Sequence, residues 1–193
     1  MGFDIRARIL ARKVIFCYFF EQYFLVLSGQ QENVKEEVEK VHAQIEGKTV
    51  ENNQDISTLL TSTYYESVDE ETAYLVQHVF ASEKDEGELP EVDYIYIRHM
   101  AGMFRKYEPI VHKLVDTHVM TFKYDEMDVL DRVIFVLGYA ERKEIDTPRE
   151  VVLNEMVELG KRYGDEASPK LINGIAHKLL TKVEPSPEEQ KKK

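Results

Sequence analysis

The chain has 193 residues, 43% of them hydrophobic and 32% charged, with only 9 Gly and 6 Pro. That length buries a core in one or two small domains, the balance is that of a globular chain, and the scarcity of turn formers favours helices over a turn-rich β fold. A formal net charge of −11 speaks against a free-standing nucleic-acid binder, which neutralises phosphates with cations, and leaves room for a local basic patch or a basic partner.

Residues 6–13 followed by the apolar stretch 14–20 imitate a signal peptide, but Glu21 and Gln22 interrupt the stretch and no small-x-small cleavage site follows. No run approaches the roughly 20 apolar residues of a membrane span. Met1-Gly2 is followed at position 6 by Arg6, not by the Ser or Thr of a myristoylation signal. The expectation is a soluble, cytoplasmic protein with its N-terminus intact. The one cysteine, Cys17, cannot form an internal disulfide and lies in an apolar run; it reads as a small buried hydrophobe in a reducing compartment.

Residues 4–27 read as one helix with Ile5, Ile9, Phe16, Phe20 and Tyr23 on a stripe, ended by Ser28-Gly29. Residues 28–91 are acidic and weakly patterned. They hold helical candidates at 34–45, 56–65 and 73–80 and a charged loop at 82–90, and no recognisable chemistry. Helices are expected at 92–107 and at 109–122, the second opened by Pro109. Gly102 then falls inside a helix, as do Gly138 and Gly174, and close approach by a neighbour is the expected reason for all three. Residues 128–143 are apolar almost all round, the mark of a central buried helix. Thr147-Pro148-Arg149-Glu150 reads as a capping box with Pro at the first helical position, and Gly164 ends that helix. Ser168-Pro169 opens the last helix, whose apolar face is Leu171, Ile172, Ile175, Ala176, Leu179 and Val183. The tail 184–193 has too few apolar residues to pack. The fold class is all-α, with an N-terminal subdomain over 1–91, carrying the unusual segment 28–91, and a C-terminal subdomain over 92–183.

No P-loop, GxGxxG, GxSxG or CxxC occurs, and the six histidines include no HExxH pair. Neither a catalytic set, a cofactor site nor a metal site is expected. Glu36-Glu37 and Asp69-Glu70-Glu71 read as solvated helix faces and caps. One cluster stands out: Arg6, Arg8, Arg12 and Lys13 place four cations within eight residues. On a helix Arg6 and Lys13 share one face and Arg8 and Arg12 another. Two readings remain open on composition: a solubilising helix end paired with the chain's own carboxylates, or arginine forks gripping phosphate oxygens.

Three segments carry a family resemblance. Leu130-Asp131-Arg132-Val133-Ile134 resembles the LDRAI helix of the NusB family. Residues 147–164 resemble its P-x-x-V-x-I-N-E-x-V-E-L-A-K-x-(F/Y)-G segment, through Val151, Asn154, Glu155, Glu158, Leu159, Lys161, Tyr163 and Gly164. Lys170-Leu171-Ile172-Asn173-Gly174-Ile175 resembles its K-F-V-N-G-(V/I) segment. The opening Arg6-Ala7-Arg8-Ile9-Leu10-Ala11 is similar in part to the family's arginine-rich start, and residues 96–102 to a mid-chain segment; residues 28–91 show no resemblance. The resemblance implies an all-helical fold of two subdomains. It implies a factor that binds boxA-type RNA of ribosomal operons together with NusE, a small-subunit ribosomal protein, within the transcription elongation complex. It assigns RNA contact to Arg6, Arg8, Arg12, Lys13 and Lys170, and a partner-facing role to Asp131, where an acidic surface would meet a basic protein. For Asn154, Glu155, Asn173 and Gly174 it suggests hydrogen bonds and close packing between helices.

The chain departs from the family pattern at Phe16 (Tyr), Ala167 (an acid), Leu171 (Phe), Val136 (Arg) and Ala140 (Tyr). Leu171 removes an aromatic able to stack on a base. A protein-interaction module with altered RNA binding is therefore the alternative reading. A third, the leading domain of an RNA methyltransferase, lacks a cofactor loop or catalytic cysteine in this sequence.

Overall fold

The computed structural model describes residues 4–29, 68–83, 91–120 and 123–181. The helical candidates at 34–45 and 56–65, the tail 184–193 and most of the loop 82–90 lie outside the described residues. Those residues form seven α-helices and no strand: α1 Ile5–Gly29, α2 Val68–Tyr74, α3 Tyr94–Met100, α4 Phe104–His118, α5 Val129–Glu144, α6 Arg149–Tyr163 and α7 Ser168–Leu180. None of them is long and apolar enough to cross a membrane. The chain divides into two compact units, Met1–Phe20 with Pro90–Lys193, and Glu21–Leu89. The first helix thus begins in the unit that holds the C-terminal helices, whereas the sequence division places it with the rest of residues 1–91.

In the unit Glu21–Leu89, Asp69, Glu70 and Glu71 occupy the first turn of α2, where acids favour the helix dipole. The helix expected over 73–80 is a composite. α2 ends at Tyr74, a π-helical turn covers Leu75–Val79 and a 3-10 turn Ala81–Glu83, with Leu75, Val76 and Phe80 buried.

In the other unit, Asp4 opens α1 by accepting from Arg6 N–H at 2.8 Å. The single apolar stripe expected for α1 is not what forms. Ile5 is 66% exposed, and Ala7, Leu10, Ala11, Val14, Ile15, Phe16, Tyr18 and Phe19 are buried. A stripe suits a helix packed on one side, and this one is covered over most of its circumference. Asp93 caps α3 through Tyr96 N–H at 2.9 Å. The expected boundary between the mid-chain helices is also displaced. The break falls at Ala101-Gly102, and Pro109 lies inside α4, where it leaves the Arg105 carbonyl without its usual N–H donor. Gly102 stands in a turn with open space where a side chain would be, so no close neighbour explains it.

α5 is the central helix that its composition requires. Asp128 caps it through Leu130 N–H, and every residue from 133 to 142 is buried. It packs against α3, α4, α6 and α7. At Gly138 an added Cβ would stand 2.2 Å from Met156 Sδ, so the expected close approach holds there. It fails at Gly174, which faces open space. The capping box does not form: Pro148 is the N-cap residue of α6 with no side-chain cap, because the Thr147 hydroxyl donates to Glu141 Oε1 at 2.8 Å. α7 opens as read, with Pro169 in its first turn and Asp165 Oδ1 accepting from Ala167 and Ser168 N–H. Ile172, Ile175, Ala176 and Leu179 form its buried face.

Candidate nucleic-acid interface

The four cations near the chain start meet four different environments. Arg6 is exposed on the first turn of α1. Arg8 is half-buried. Its Nη2 lies 2.8 Å from Asp93 Oδ2, and its guanidinium sits 4.5 Å from the centre of the Tyr96 ring. Burial would raise the Asp93 carboxyl, but the Tyr96 N–H and Arg8 outweigh it and hold Asp93 below the usual carboxylate range.

Arg12 is only 5% exposed. Its Nε donates to Glu141 Oε2 at 2.9 Å and its Nη2 to Oε1 at 2.8 Å, while Nη1 lies 3.3 Å from Glu155 Oε2. Glu141, itself 2% exposed, also accepts from the Tyr96 hydroxyl at 2.9 Å and from Thr147. Burial works against the Arg12 charge, yet the hydrogen bonds and charge of Glu141 prevail and raise its pKa further. Burial and the neighbouring Glu141 carboxylate likewise push the Tyr96 hydroxyl well above its ordinary value.

Lys13, buried at 9% exposure, stands in the wall of a cleft of about 450 Å³ between α1 and α6. Ile9 and Leu159 supply its apolar wall; Arg12, Lys13, Lys161 and Arg162 bring cations, and Glu155 and Glu158 carboxylates. Lys161 Nζ donates to Glu158 at 2.6 Å. Beside the cleft the aromatic rings run in series. Phe16 stacks on Tyr163 with centroids 5.0 Å apart and planes at 18°, Phe20 follows at 6.4 Å, and Arg162 lies 5.6 Å from the Tyr163 ring. The exposed Lys161 and Arg162 offer cations for phosphates at this cleft.

The remaining predicted residues lie elsewhere. Lys170 is exposed on α7 and does not line the cleft. Asp131 is buried at 3% exposure, and its Oδ1 has no hydrogen-bond partner. Burial foremost raises its carboxyl pKa, Ser168 opposes this through a hydrogen bond, and Asp128 and Asp165 add to the rise. Among the described residues no group of His, Cys, Asp and Glu could hold a metal ion.

Sequence reasoning missed Glu141, Tyr96 and Thr147. The available signal was an acid, Glu141, directly after the apolar run 133–140 of a helix read as central and buried. It also passed over Lys161 and Arg162, which stand within the motif it used. Of the residues read as inter-helix links, Glu155 joins α6 to Arg12 of α1. Asn154, Asn173 and Gly174 are exposed and are not packed between helices.

The fold and this site define an all-helical bundle whose opening helix brings cations to a groove shared with a later helix. Residues 59–181, well over half of the chain, match the family model described as NusB family, and the chain belongs to that family. The match takes in residues 59–91, where the motifs alone showed no resemblance. The transcription antitermination protein NusB of Staphylococcus haemolyticus (strain JCSC1435) is 30% identical over 86 residues, 45% of this chain and 67% of that protein. That of Fervidobacterium nodosum (strain ATCC 35602 / DSM 5306 / Rt17-B1) is 32% identical over 89 residues, covering 46% and 62%. That of Bacillus velezensis (strain DSM 23117 / BGSC 10A6 / LMG 26770 / FZB42) is 28% identical over 110 residues, covering 56% and 78%. The solved structure of T. maritima NusB superposes with a TM-score of 0.55 at 18% identity over 100% of both chains, a likeness of fold.

Proposed function

We propose that this chain is a non-enzymatic, cytoplasmic antitermination factor that binds boxA-type RNA together with the ribosomal protein NusE and acts in the transcription elongation complex. The observation that carries the reading is the cationic cleft between α1 and α6, bordered by the Phe16–Tyr163 stack. It supplies a local basic surface on a chain whose net charge is −11, which is what binding by an acidic protein demands. Lys161 and Arg162 take the phosphates there, with Arg6 and Lys170 extending the contact at exposed positions; Arg8, Arg12 and Lys13 serve the same interface from within the fold, Arg8 held by Asp93 and Arg12 by Glu141. The partner side is acidic. Asp128 and Asp165 are exposed beside the buried Asp131, and a basic ribosomal protein complements them.

A second reading, an interaction module with altered RNA binding, is favoured by the internal commitments of Arg12 to Glu141 and of Lys161 to Glu158. Gel shifts with boxA-type RNA, with and without purified NusE, separate the two. The RNA-binding reading expects retention that strengthens when NusE is added and falls as salt rises. Capture of NusE with no RNA retention would establish the module instead, and retention of neither would sink both.

A further inference from the structure

We propose that Glu158 reads a nucleobase in the α1–α6 cleft: its carboxylate accepts a hydrogen bond from the exocyclic amino group of a cytosine or an adenine, while Lys161 and Arg162 hold the adjoining phosphates. The inference rests on the RNA-binding reading above and deepens it, by naming the part of the RNA that the cleft takes. It starts from an acid that phosphate binding does not explain. Glu155 and Glu158 line the cleft together with its cations, and a carboxylate repels a phosphate. Glu155 is accounted for within the fold: its Oε2 lies 3.3 Å from Arg12 Nη1, and its side chain is 20% exposed. Glu158 is different. Its side chain is 53% exposed, and Lys161 Nζ donates to its Oε1 at 2.6 Å. Among the described residues no donor is bonded to Oε2. An exposed pair of this kind adds little to stability, so the fold gives Glu158 no task.

An ionised carboxylate only accepts hydrogen bonds, so its ligand must donate. A phosphodiester has no donor, and a base edge has. Ile9, half-buried, and Leu159 line the cleft with apolar surface for the face of a base. Its volume of about 450 Å³ falls within the range of roughly 300–1,000 Å³ for small-ligand pockets. Single-stranded RNA presents splayed bases whose Watson–Crick edges are open to such contacts. The amino groups of cytosine and adenine each supply an N–H for a single carboxylate oxygen. Uracil offers one ring N–H set between two carbonyl oxygens, which a carboxylate repels. Guanine presents two parallel N–H groups that match both oxygens of a carboxylate, and Lys161 holds Oε1 here.

The test measures binding of the full chain, with NusE present, to a boxA-type RNA and to a set of RNAs in which uracil replaces each cytosine or adenine in turn. At one position the unaltered chain should prefer the amino-bearing base by about tenfold, within the discrimination of one base contact. Glu158→Ala should abolish that preference, keep the preferences at other positions and bind the uracil-bearing RNA at least as well as the unaltered chain does. Lys161→Gln should instead weaken binding to every RNA alike and shrink the slope of log K against log salt by about 0.7, the share of one single-strand phosphate contact. Uniformly tighter binding by Glu158→Ala with all base preferences intact would make Glu158 a charge that only repels RNA, and would overturn the proposal. So would the lack of any amino-base preference in the unaltered chain. Loss of a preference for ribose over 2′-deoxyribose, in place of a base preference, would overturn it too, since the 2′-hydroxyl also donates. Absence of RNA binding by the unaltered chain, with and without NusE, would instead remove the function on which the proposal rests.

Discussion

Asp131 carries a carboxylate into a place poorly suited to one. Its side chain is buried, one oxygen lacks a hydrogen-bond partner, and Asp128 and Asp165 add negative charge nearby. Burial is the largest influence and raises its pKa in the folded state. A carboxyl whose folded pKa lies above the unfolded one destabilises the fold at pH values above both, and the penalty is relieved as pH falls through the folded value. Asp131→Asn should therefore stabilise the protein at pH 7 by on the order of 1 kcal/mol, seen as a rise in Tm of about 2–4 °C for a chain of this size. The gain should shrink toward acid pH. A lower Tm at pH 7 would show instead that the ionised Asp131 makes a net stabilising contact, and would overturn this prediction. The same substitution should weaken capture of NusE, since the proposed interface values the charge that the fold does not. The motif named this position; its burial depends on α7 lying across the start of α5, which no local pattern around Asp131 reveals.

Among the helices, α5 was the most legible, because a run apolar on every side has one stable location, the middle of a bundle. Its Gly138 shows why the packing is close. α6 approaches so nearly that Met156 occupies the volume of a side chain there. Gly138→Val should cost about 1–3 kcal/mol by overpacking, read from urea unfolding, and Gly138→Val with Met156→Ala should recover part of that loss. Full additivity of the two changes would show that the residues do not compete for one space. Elsewhere local signals misled for identifiable reasons. Pro109 looks like a helix start, but the break belongs to Ala101-Gly102 and α4 accepts the proline at an exposed position. Thr147 and Glu150 have capping-box spacing, but a carboxylate more than a turn away in sequence, Glu141, takes the threonine hydroxyl. The cation cluster of α1 was visible as composition; that Arg12 is buried on Glu141 while Arg6 is exposed was not, because that depends on the partner helices.

Across the whole molecule, 36 acids against 25 lysines and arginines give a chain that repels itself at neutral pH, so acidification relieves repulsion while it removes specific carboxylate contacts. Glu144 reports on the second effect. At the end of α5 it accepts from Lys106 at 2.5 Å and from the Tyr107 hydroxyl, both on α4, and pairs with His99 of α3 at 3.2 Å. The Lys106 and Tyr107 hydrogen bonds, in that order, pull its pKa down to about 2. A carboxyl held below its unfolded pKa of about 4.3 contributes stability that is complete above that value and is lost as pH falls toward the folded one. Glu144→Gln should thus be less stable than the unaltered chain at pH 7, and the gap should close between about pH 4.3 and pH 2. Urea unfolding at pH 7, 4 and 2.5 measures it. A gap that stays constant over that range would show that Glu144 joins the three helices by packing alone, and not by its charge.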